Sequence, residues 1–69
     1  SEPTEEDTQV AYDMIYDSDL PDNSKKVLYD HFISGFSVLE MSKERGVPYH
    51  QLRNKLDNCL QQLRMEYEI

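Results

Sequence analysis

The sequence predicts an all-α domain, and three observations carry that prediction. Apolar residues recur at helical spacing in four stretches, and glycine, proline and short polar residues punctuate the intervals between them. No stretch alternates apolar and polar residues well enough to make a strand. At 69 residues the chain is one domain at most, near the lower size at which a single apolar core can hold a fold unaided.

Ser1 to Asp7 is polar and acidic and contains Pro3, so residues 1–7 read as a disordered acidic arm preceding a domain over 8–69. From Thr8 to Asp17, Val10, Ala11, Met14 and Ile15 share a helical face, with Tyr12 and Tyr16 flanking it. Ser18 to Asn23 is a turn that supplies several candidate caps for a second helix over Ser24–Ser34. There Val27, Leu28, His31 and Phe32 make one stripe, Ile33 widens it, and Gly35 offers a left-handed exit. Ser37 and Glu40 form a capping box that opens a third helix, ended by Gly46. Tyr49 to about Glu66 is the longest helix, with Leu52, Leu56, Cys59, Leu60 and Leu63 on one face.

The formal charge of −7 argues at first against nucleic acid. Its distribution reverses that. Residues 1–24 hold eight acids and no base, whereas residues 25–69 hold seven bases and six acids. An acidic arm precedes a mildly basic module. The lone Cys59 excludes an internal disulfide, and with only His31 and His50 it makes no zinc set, so no metal or other cofactor is expected. His31 reads as a buried or half-buried packing residue, and His50 as an exposed helix residue or phosphate contact. No apolar run is long enough for a membrane span, and a cytoplasmic, reduced setting is the default expectation. No nucleophile with a base and orienter, no phosphate loop and no apolar carboxylate pair is present, so the chain is not expected to be an enzyme.

Ser37 to Leu56 carries the functional expectation. A short capped helix ends at Arg45-Gly46-Val47 and a second restarts almost at once. Gly46 permits the positive φ of a tight corner, Val47 plugs it, and Met41 and Ser42 suit the crossing of the two helices. That is the pattern of a helix-turn-helix. With Leu52 and Leu56 inward, the start of the last helix turns out Tyr49, His50, Gln51, Arg53, Asn54 and Lys55, with no acid before Asp57. Amides suit adenine, arginine suits guanine, and lysine suits phosphate.

Leu20-Pro21, Lys26-Val27-Leu28, Gly35-Phe36-Ser37, Glu40-Met41-Ser42, Gly46-Val47, Leu52, Leu56 and Leu63 together resemble the promoter-reading terminal domain of bacterial sigma factors. They are similar, too, to the small bacterial regulators of fimbrial adhesin synthesis. The resemblance runs from Leu20 to Arg64, with Arg45 at a usually apolar position and Pro48 where a Ser or Thr cap is usual. It implies a three- to four-helix helix-turn-helix domain with a long C-terminal recognition helix beginning near Tyr49. The expected function is transcriptional regulation by binding DNA in the major groove. Tyr49, His50, Gln51 and Asn54 would reach bases, while Lys43, Arg53 and Lys55, helped by Lys25 and Lys26, would mainly hold phosphates. The alternative is an acidic protein-interaction module on the same scaffold. It would bind RNA polymerase, a sigma factor or another regulator through the acidic N-terminal segment or the last helix, whose apolar stripe also suits a homodimer.

Overall fold

A computed structural model of the chain describes Glu2 and residues 4–68; Ser1, Pro3 and Ile69 lie outside the described residues. Among them are four α-helices and no strand. The helices are α1 (Glu5–Asp17), α2 (Asp22–Leu28), α3 (Val38–Arg45) and α4 (Tyr49–Tyr67), with a π-helical turn, Tyr29–Ile33, continuing α2.

Helix α1 starts three residues before the expected Thr8, so Glu5, Glu6 and Asp7 form its first turn rather than part of an unstructured arm. The reason is local. The Thr4 hydroxyl accepts the Asp7 amide at 3.1 Å, and the Asp7 carboxylate accepts the Thr4 amide at 3.2 Å. Carboxylates in a first turn also meet the positive end of the helix dipole. The acidic run that reads as unstructured by composition is therefore well placed to begin a helix.

Helix α2 begins at Asp22, with Pro21 at the cap and no capping side chain, two residues ahead of the expected Ser24. Its continuation is not regular. The Ser34 amide reaches back five residues to the Tyr29 carbonyl at 2.9 Å, and the Phe36 amide bonds the Asp30 carbonyl at 3.0 Å over Gly35, which has φ +83°. A π turn holds an extra residue and shifts later side chains by about 100° relative to an α-helix. Phe32, expected on the apolar stripe, is exposed, and His31 is half-buried with Nδ1 2.8 Å from the Phe36 carbonyl oxygen.

Helix α3 has the expected capping box, with both Ser37–Glu40 bonds at 3.0 Å. It ends on Gly46 at φ +65°. The Ser42 hydroxyl then donates to the Val47 carbonyl at 2.5 Å, tying the corner to the helix it leaves. Helix α4 buries Leu52, Leu56, Cys59 and Leu63. Leu28, Met41 and Leu56 are the most deeply buried, one each from α2, α3 and α4, and burying such a side chain is worth about 1.5–3 kcal/mol. Ile15 and Leu20 close the core from the α1 side. At the far end of α4 the Tyr67 hydroxyl donates to the Met14 carbonyl at 3.0 Å, and the Glu66 carboxylate accepts the Asp19 amide at 3.0 Å. No helix is long and apolar enough to cross a membrane among the described residues.

Candidate functional site

The first two turns of α4 follow directly on Gly46 and Pro48, so the corner fixes where their side chains point. Leu52 and Leu56 face the core, and the residues between them fan out on two opposite flanks. At about 100° per residue, Gln51 and Arg53 lie about 160° apart around the axis. Tyr49, His50, Gln51, Arg53 and Asn54 are all exposed, Lys55 is half-buried, and the first turn holds no acid. Pro48 supplies no side-chain acceptor, so the amides that open α4 carry no side-chain cap.

One flank closes into a groove of about 750 Å³ between α4, the start of α2 and the α3–α4 corner. Of the expected site residues it gathers Lys26, Gln51, Asn54 and Lys55. It adds Arg45, Asn23, Asn58 and Gln62, which the sequence reading did not include. The spacing of Gln51, Lys55, Asn58 and Gln62 is the helical signal that could have found the α4 members. The contribution of Asn23 and Arg45 depends on how α2 and α3 pack and has no local signature. Val27, Val47 and Leu52 form the floor, and no carboxylate lines the groove among the described residues.

Arg45 is held in an ion pair with Asp30, and Lys26 pairs with the same carboxylate at 3.1 Å. Burial works to raise the Asp30 carboxyl. Hydrogen bonds and charge from Lys26 and Arg45 outweigh it and hold it below the ordinary aspartate range. With its side chain 15% exposed, Asp30 works as a shared anchor that fixes two cations at the groove's edge.

The other flank carries Arg53, whose guanidinium lies 3.4 Å from Asp57. Both side chains are about half exposed, at 49% and 54%, so this pair is weak and readily exchanged for another anion. Lys43 is exposed on the last turn of α3. Lys25 turns the other way: its Nζ donates to the Tyr16 carbonyl at 2.8 Å and sits 5.9 Å from that ring's centre. The nine expected contacts therefore divide, with four in the groove, four on or beside the opposite flank and tip, and Lys25 directed at α1.

Comparisons with protein-family models, curated proteins and solved structures find no match to this chain. The chemistry of the site rests on its own side chains. Among the described residues no group of three or more His, Cys, Asp or Glu could hold a metal ion.

Proposed function

We propose that the protein is a DNA-binding regulator, with α3, the Gly46 corner and α4 acting as a helix-turn-helix and the start of α4 entering the major groove. One observation carries this reading. In a chain whose acids outnumber its bases 14 to 7, the exposed opening of α4 presents Tyr49, His50, Gln51, Arg53 and Asn54 with no carboxylate among them. The opening of a helix without a capping side chain attracts phosphate through its free amides and dipole. Asn54 has the bidentate geometry for adenine, and Arg53 can leave Asp57 for guanine or phosphate. Lys43, on the last turn of α3, would hold a flanking phosphate.

Fluorescence anisotropy on duplex DNA across a salt series tests the reading. The expected result is binding that weakens steeply as salt rises, since released counterions supply much of the driving force. Arg53→Ala and Asn54→Ala should each lose about 1–3 kcal/mol of affinity with unchanged helicity, Asn54→Ala with the larger change in sequence preference. Duplex binding that is absent at low salt in the wild-type chain would end the proposal.

A further inference from the structure

The groove between α2 and α4 has a composition that duplex recognition does not require. Carboxamides line it from both helices: Asn23 from α2, and Gln51, Asn54, Asn58 and Gln62 from α4. A carboxamide both donates and accepts, as does each peptide unit of an extended chain. With Asn54 these amides recur every three or four residues on α4, and the run from Gln51 to Gln62 extends about 16 Å at 1.5 Å per residue. About five residues of extended chain cover that length at ~3.3 Å each.

The charges indicate what such a chain must carry. Lys26, Arg45 and Lys55 line the groove with no opposing carboxylate in its walls. Asp30 already engages Lys26 and Arg45, whereas Lys55 makes no ion pair among the described residues. The floor of Val27, Val47 and Leu52 offers aliphatic contact, and no aromatic ring lines the groove among the described residues. Single-stranded nucleic acid is ordinarily held by stacking on such rings. Amides for a backbone, aliphatic floor for a side chain and cations without acids select a peptide.

We infer that this groove binds an extended acidic peptide segment of a partner protein. Gln51, Asn58 and Gln62 bond its main chain, and Lys55 pairs with a carboxylate. The inference uses the flank of α4 turned to α2; it shares Gln51 and Asn54 with the DNA reading, whose Tyr49, His50 and Arg53 lie outside the groove.

Titration of the ¹⁵N-labelled full chain with two capped pentapeptides, Glu-Leu-Glu-Leu-Glu and Lys-Leu-Lys-Leu-Lys, provides the test. The glutamate peptide should give saturable shifts at the side-chain amides of Gln51, Asn58 and Gln62, and the lysine peptide none. Lys55→Glu should weaken binding at least tenfold. Asn58→Ala, an exposed change that leaves the core untouched, should weaken it severalfold at unchanged melting temperature. Arg53→Ala should leave peptide affinity as it was, which separates this groove from the duplex surface. Three results would each overturn the inference: no saturable shift at millimolar glutamate peptide, the same affinity in Lys55→Glu, or oligo-dT giving the same shifts and displacing the peptide.

Discussion

Gly46 sits at φ +65° with nothing within 4 Å of where a Cβ would stand. The cost of replacing it is therefore backbone strain and not collision. A β-branched residue is disfavoured in the left-handed region by roughly 1–2 kcal/mol, whereas asparagine enters it more readily. Urea denaturation should show Gly46→Val losing about that much and Gly46→Asn clearly less. Equal losses would mean that something other than φ governs the corner. This residue was fully legible in the sequence, because a glycine between two helical periods has few other readings. Asp30 was not. Its role depends on Lys26 one turn before it and Arg45 on the next helix, and only the second of those requires the fold. Since its folded pKa is lowered, the stability it contributes is present above the unfolded aspartate value of about 3.9 and is lost as pH falls through the folded value. Denaturation midpoints taken from pH 6 downward should fall less steeply below pH 4 in Asp30→Asn than in the wild type. Parallel curves would deny Asp30 that role.

At the scale of elements, the boundaries that carry side-chain signals were readable and those set by tertiary packing were not. Ser37–Glu40 and Gly46 bracket α3 in sequence and in structure. The apolar face of α4 was readable too, with the refinement that Leu60 is half-buried while Leu52, Leu56, Cys59 and Leu63 are buried. Thr4–Asp7 is a capping box as plain as the other, yet its acidic surroundings pointed to disorder. The π turn had no local signal, because its residues suit an ordinary helix. Phe32, within it, is 45% exposed and borders an apolar hollow with Ile15, Leu60 and Leu63. The candidate site was half legible for the same reason: one helix displays its outward residues by period alone, but a groove is made by the helix that comes to lie beside it. Composition located the opening of α4, and only packing showed that Asn58 and Gln62 continue its inner flank.

For the molecule as a whole, charge is divided along α4. Its 19 residues reach about 28 Å, several times the screening length of about 8 Å at physiological salt. Glu66 lies against Asp19 toward the end of α4, while Arg45 and Lys55 lie beside its first two turns. Only three ion pairs form among the described residues against a formal charge of −7, so repulsion among the acids is the larger electrostatic effect at low salt. The melting temperature should rise between roughly 0.01 M and 0.5 M sodium chloride, over which the screening length falls from about 30 Å to less than 8 Å. That is opposite in sign to the expected salt response of duplex affinity, and a falling melting temperature would mean that the ion pairs dominate. The fastening at Tyr67 and Glu66 also sets an order of disassembly. Helix α1 buries only Ile15, and the Tyr67–Met14 and Glu66–Asp19 bonds latch its end to α4. Segments with few buried contacts open first. In hydrogen exchange α1 should behave as a separate cooperative unit, its amides exchanging well before those of α2 and α4. Tyr67→Phe should lower the opening energy of α1 and leave the slowest amides of α4 unchanged, whereas a uniform change along the chain would show that the four helices open as one.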